Sequence, residues 1–265
     1  MRRLAALALV IAFASPSALV AQDELPPLTK LQVPTVEYLE ARMGRAQPGV
    51  AASSPVGFGP NQGDIFAGLG YQATTGVEGK ADGALSVGAG FLNSSDVVGI
   101  EAVLTSLSTL RSGFGSRMVG AVKVHKVVSD WGIGLGVEGF YLNGNDFDTK
   151  PSVYAAATRG FAVNPNSEYF TNGTINFGLG NGRFQQIDDF RDGKNGVWFF
   201  ASSSIRINYF SSAIIDYTGA QVNLALSFSP LKKLPLVLTP SLNDIGGAVG
   251  DRARLALGAG MSWKY

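Results

Sequence analysis

Cysteine is absent from the 265 residues and histidine occurs once. No disulfide framework, thiolate zinc site, iron–sulfur cluster or cysteine nucleophile is therefore available, and no multi-histidine metal site. Charged residues make up only 15% of the chain, against about 25% in a typical soluble domain, and the formal net charge is +1. A near-neutral balance lacks the basic patch that nucleic-acid binding needs. Beyond the N-terminus no run of 18 apolar residues occurs, so no transmembrane helix is expected.

Glycine, in contrast, is abundant: 34 residues, placed inside apolar segments where it weakens a helical reading.

The N-terminus has the layout of a secretory signal peptide. Arg2 and Arg3 precede an apolar run from Leu4 to Ala14, and small residues follow to an expected cleavage after Ala21. The run is too short to span a bilayer as a helix. Loss of Arg2 and Arg3 leaves 19 basic and 20 acidic residues. Residues 22–62 form a distinct stretch containing Pro26, Pro27, Pro34, Pro48, Pro55 and Pro60. One piece, Thr35 to Met43, has helical spacing at Val36, Leu39 and Met43. The stretch reads as an N-terminal extension or a plug, and a mobile linker without a task is the simpler of these.

From residue 63 onward, alternating segments are separated by clusters of Gly, Asn, Asp, Ser and Pro. In the last of them Leu255, Leu257, Ala259, Met261, Trp263 and Tyr265 share one parity, against Arg254, Ala256, Gly258, Gly260, Ser262 and Lys264. The pattern predicts twelve strands, near 64–74, 83–91, 97–106, 117–126, 131–140, 151–159, 172–180, 196–206, 209–217, 220–229, 235–242 and 252–265. Pro235 and Pro240 make the eleventh the weakest.

Such alternation fits a soluble sandwich or a membrane barrel. The small-residue parity, mainly Gly, Ser, Ala and Asn, makes a poor soluble exterior but suits a narrow barrel interior. Aromatics at strand ends (Tyr71, Phe91, Trp131, Tyr217, Trp263 and Tyr265) can form interfacial girdles. The expected fold is thus all-β: a closed antiparallel transmembrane barrel of about twelve strands over residues 63–265. Alternate connections are short (92–96, 127–130, 207–208, 230–234) and longer (75–82, 107–116, 141–150, 181–195, 243–251). Two break the trend: 160–171 is long and 218–219 is short.

The segments GLGNGRF (178–184), IDYTGAQVNLALSFSP (215–230), LPLVLTP (234–240) and GDRARLALGAG (250–260) resemble those of uncharacterised exported outer-membrane β-barrel proteins of cyanobacteria. More loosely, the strands are similar to YjbH-type barrels linked with exopolysaccharide export. The resemblance implies a fold and an outer-membrane location, with no activity and no catalytic residues. An outer-membrane barrel implies contact with lipid and with the barrel-assembly machinery, for which the terminal strand with Trp263 and Tyr265 resembles the recognition signal.

Charges on the small-residue parity are Glu101, Arg117, Lys123, Glu138, Arg206, Asp216 and Arg254, joined by His125. A lipid-facing Arg or Lys costs about 2–4 kcal/mol near the midplane, so these residues are expected to line the lumen or sit at its rim. Two functions fit. The charges can line a porin-like passive channel for small solutes, or form a salt-bridge network that plugs a structural or surface-binding protein, with polysaccharide a candidate ligand. Arg159 has ambiguous parity and can snorkel at an interface.

No catalytic residue is assigned. The sequence around His125 carries no nucleophile arrangement. GLGNGRF lacks the Lys-Ser/Thr of a phosphate loop. Asp146, Asp148, Asp188, Asp189 and Asp192 lack EF-hand spacing and read as solvated loop charge. No cofactor, metal or nucleic-acid partner is expected.

Overall fold

The computed structural model describes residues 47–74, 80–143, 151–164, 166–231, 233–249 and 252–264. The expected signal peptide, the helical piece at 35–43, Asp146, Asp148 and Tyr265 lie outside them.

Twelve antiparallel strands close into one barrel, each paired with its neighbours in sequence: β1 (Asp64–Gln72), β2 (Asp82–Phe91), β3 (Gly99–Ser106), β4 (Met118–Val128), β5 (Trp131–Asn143), β6 (Ser152–Ala162), β7 (Asn172–Gly180), β8 (Trp198–Asn208), β9 (Ser211–Tyr217), β10 (Val222–Phe228), β11 (Leu236–Asn243) and β12 (Arg254–Lys264). β1 completes the circle against β12, with Asp64 opposite Lys264 and Gln72 opposite Ala256. Closure leaves no edge strand to pair with another chain.

The twelve strands match the twelve expected from alternation. β11 forms although Pro240 sits within it. Pro240 has no N–H to donate, and the β10–β11 register accordingly passes from Ala225↔Ser241 to Phe228↔Leu238 without pairing Leu226 to Pro240. The ladder to β12 is continuous from Leu236 to Asn243.

The two faces of the wall differ in chemistry. Outward positions include Ile65, Leu69, Val87, Val124, Ile133, Leu135, Ile175, Leu179, Ile215, Leu226 and Leu255, all exposed. Among the described strand residues the outer face carries two charges, Lys126 and Arg159, both at the end of the short connections. Lys126 Nζ donates to the backbone carbonyls of Ser95 (3.1 Å) and Asp96 (3.0 Å). Arg159 pairs with Asp130 at 2.9 Å and lies over the Trp131 ring. Such placement keeps cations at a rim beside an aromatic. A strand of about ten residues tilted by about 40° rises about 25 Å, the height of a bilayer's apolar band. The closed barrel with this outer face fits a membrane-embedded barrel.

Inside, an aromatic on one strand lies over a glycine directly opposite on the next. Phe66 faces Gly88, Phe140 faces Gly120, Tyr154 faces Gly136 and Phe200 faces Gly178. Each ring fills the space that a Cβ would need, so the glycine lets the partner's ring lie flat on the sheet.

The short connection 218–221 packs against the connection after β7. Gly219, at φ +90°, lies under the Phe184 carbonyl, where a Cβ would overlap the oxygen. The 181–197 connection thus folds over this turn, and the close approach requires glycine at 219.

Candidate functional site

The barrel interior is occupied. Residues 47–62 lie within it and bond to side chains from many sides of the wall, main chain to side chain almost throughout. From the N-terminal end, the Gly49 N–H donates to Ser227 Oγ near the short-connection end of β10 (2.7 Å). The segment reaches the long-connection end at 52–54. There the backbone N–H groups of Ala52, Ser53 and Ser54 donate to Asp216 Oδ2 at 2.8, 2.8 and 3.0 Å, and the Ser54 hydroxyl donates to Oδ1 at 2.6 Å.

It then returns along the other side of the lumen. Asn176 Nδ2 donates to the Pro55 carbonyl (3.1 Å), and the Gly57 N–H donates to Thr158 Oγ1 (2.8 Å). Lys123 Nζ donates to the Phe58 carbonyl (2.8 Å), and His125 Nε2 bonds to the Pro60 carbonyl (3.0 Å). At the short-connection end the Gln62 N–H meets the Leu92 carbonyl (2.8 Å), and Asn61 Oδ1 accepts from Ser94 N–H (2.8 Å). An irregular segment inside a protein must have its backbone groups satisfied, and the polar wall satisfies them.

Glycines on both sides of the contact make room for this segment. A Cβ on Gly57 would overlap the Gly132 carbonyl, and one on Gly132 would meet the Phe58 ring at 2.5 Å. A Cβ on Gly90 would overlap Asn61 and Pro60. Val56, Pro48 and Pro55 are fully buried.

Of the residues singled out in the sequence, Glu101, Lys123, His125, Glu138, Arg206, Asp216 and Arg254 face inward and are buried. Glu101 and Lys123 sit opposite one another on β3 and β4 and form an ion pair at 2.5 Å. Glu138 on β5 is bound by Arg183, from Nε to Oε1 and from Nη2 to Oε2 (3.3 Å). Arg254 Nη2 donates to Gln221 Oε1 (2.8 Å) and lies 3.6 Å from Asp244. Arg206 lies on β8 opposite Ser212. Arg117 is half-buried in the connection before β4, its Nη1 3.4 Å from Ser108 Oγ. Trp263 is on the outer face of β12. His125 and Asp216 are held by different stretches of the internal segment, so the structure does not join them as a base and its orienter.

Sequence reasoning did not single out Arg183 or Asp244. Arg183 follows β7 and leaves no trace in any strand parity, yet its Nη1 donates to the Ser53 carbonyl (2.9 Å) and its guanidinium lies over Phe184. Phe184 stacks on Phe200 at 4.5 Å between centroids and meets Tyr154 edge-on, so this connection caps the lumen with an aromatic cluster.

Further out, the same connection carries a short helix, α1 (Ile187–Arg191). Lys194 binds Asp189 (2.8 Å) and Asp192 (3.2 Å), and Trp198 Nε1 donates to Asp189 (3.1 Å). The hydrogen bonds from Lys194 and then Trp198 hold the Asp189 carboxyl below its usual range. A depressed native value means that this contribution is present above the unfolded carboxylate value, about 3.9, and is lost as pH falls through the lower native one. With Trp131 and Trp263 replaced by Phe, Trp198 fluorescence is expected to stay constant from neutral pH to about 4 and change only below it. A transition at pH 5–6 would contradict the pairing.

Comparison of the chain with protein-family models and with curated proteins finds no match.

Proposed function

We propose that the chain is a non-enzymatic outer-membrane β-barrel whose lumen is closed at rest by its own residues 47–62. Of the two functions that fit the sequence, this is the plugged barrel rather than the open porin-like channel. The carrying observation is the internal segment: its main chain is bonded to wall residues on β4, β6, β7, β9 and β10, and to Arg183 above them. The ion pairs Glu101–Lys123 and Glu138–Arg183 add to the filling. An outer membrane is supported by the expected signal peptide, by the apolar outer face and by the resemblance to exported barrel proteins. With the interior filled, the protein's contacts with other molecules fall to the lipid-facing wall and to the long connections, where a cell-surface polysaccharide is the ligand class to examine.

The test is conductance in planar lipid bilayers. Purified protein whose folding is verified by heat-dependent gel migration is expected to give no ion-conducting steps in potassium chloride. Frequent, stable steps would overturn the closed barrel and favour the porin-like reading.

A further inference from the structure

We propose that residues 47–62 are a gate rather than a fixed core element, that Asp216 is its latch, and that its release opens a path for small hydrated ions through the barrel. The inference rests on the closed-barrel reading above.

The barrel does not need the segment for its closure. No residue of 47–62 belongs to a strand, and the twelve ladders form a complete circle without it. Its bonds are mostly between backbone groups and polar side chains, and water can replace such partners at small net cost.

Most of the wall groups that hold the segment also hold one another. Lys123 keeps Glu101, Arg183 keeps Glu138, and Thr158 bonds to Asn176 (2.7 Å), which bonds to Ser202 (3.2 Å). If the segment leaves, these groups retain partners.

Asp216 differs. The hydrogen bonds of its fully buried carboxylate run to Ala52, Ser53 and Ser54 of the segment. Charge-assisted bonds of this kind are the strong ones, and here they converge on one side chain. The carboxylate therefore contributes to retention of the segment far more than to integrity of the wall. The vacated path would be lined by Glu101, Lys123, Glu138, Arg183 and Asp216, charges of both signs that suit hydrated ions.

Two variants attack the seat independently. Asp216→Ala removes the latch from the wall side. Gly57→Val acts from the segment side, since a Cβ there overlaps the Gly132 carbonyl. Each is expected to conduct potassium chloride in planar bilayers with an open probability at least about tenfold above that of the unaltered chain, the worth of one charge-assisted hydrogen bond.

Because the chain has no cysteine, a disulfide can be introduced cleanly. Ser53→Cys with Asn223→Cys, a pair whose polar side-chain atoms are 3.3 Å apart, added to Asp216→Ala should close the path when oxidised and reopen it on reduction. Folding is verified by heat-dependent migration for every variant, and Gly57→Val decides alone if Asp216→Ala does not fold. Folded variants as silent as the unaltered chain would overturn the gate. So would a cross-linked form that conducts as freely as its reduced form. Constitutive conductance of the unaltered chain would instead overturn the closed-barrel reading, and this inference with it.

Discussion

Lys123→Ala is expected to destabilise the folded barrel by about 3–5 kcal/mol, the cost of removing one member of a buried ion pair. Lys123 and Glu101 expose 4% and 6% of their side chains, and the ammonium lies 2.5 Å from Glu101 Oε2. Truncation strands a carboxylate between β3 and β4, where water access is poor. It also removes the donor to the Phe58 carbonyl.

The double variant Lys123→Met with Glu101→Gln removes both charges while nearly keeping both volumes. It should recover most of the loss, because a buried pair often does little better than uncharged groups of similar shape. Urea unfolding in liposomes, followed by gel migration, measures the three differences. Equal losses in the single and double variants would mean that the charges do not interact, against the geometry of the pair.

The legibility of this structure divides along the same line as its chemistry. The twelve strands were readable because each separates an apolar outside from a small or polar inside, which imposes a period of two on side chains. Glu101, Lys123, Glu138, Asp216 and Arg254 were readable as inward for the same reason. Their partners were less so. Glu101 meets Lys123 through a strand register, and register does not show in either strand alone. Arg183 comes from a connection, where parity says nothing.

The internal segment was the least visible element, and the simpler expectation of a mobile linker differs from what residues 47–62 do in the structure. Ala52, Gly57 and Pro60 are bound chiefly through backbone N–H and carbonyl groups, which nearly every residue possesses, so no side-chain pattern announces them. The trace lay on the other side of the contact. Gly90 sits on the inner face because the Pro60–Asn61 backbone lies against it, and Gly132 because the Phe58 ring does. The glycine excess, read from the sequence as a crowded interior, thus combines two causes: aromatics folded onto glycines of the next strand, and a segment of the same chain within the lumen.

A single arginine placed on the outer wall tests what surrounds that wall. Leu135 points outward near the middle of β5, flanked along its face by Ile133 and Val137, and is 61% exposed. Its cross-strand neighbours are Val124 and Ala155. In water, replacing so exposed a residue is worth within about 0.5 kcal/mol. At the midplane of a bilayer, Leu135→Arg is expected to cost about 2–4 kcal/mol, because the guanidinium must reach water through hydrocarbon.

Val128→Arg provides the contrast. Val128 ends β4 opposite Trp131, at the rim that already holds Lys126 and Arg159, and is 51% exposed. There the cost should be about 0–1 kcal/mol. Denaturant unfolding from lipid vesicles reads both. Equal, small effects at the two positions would mean that no lipid contacts the wall, whereas a depth-dependent difference of about 2 kcal/mol or more places Leu135 in the apolar band and Val128 at its edge. The comparison does not depend on what fills the lumen, since both side chains point away from it.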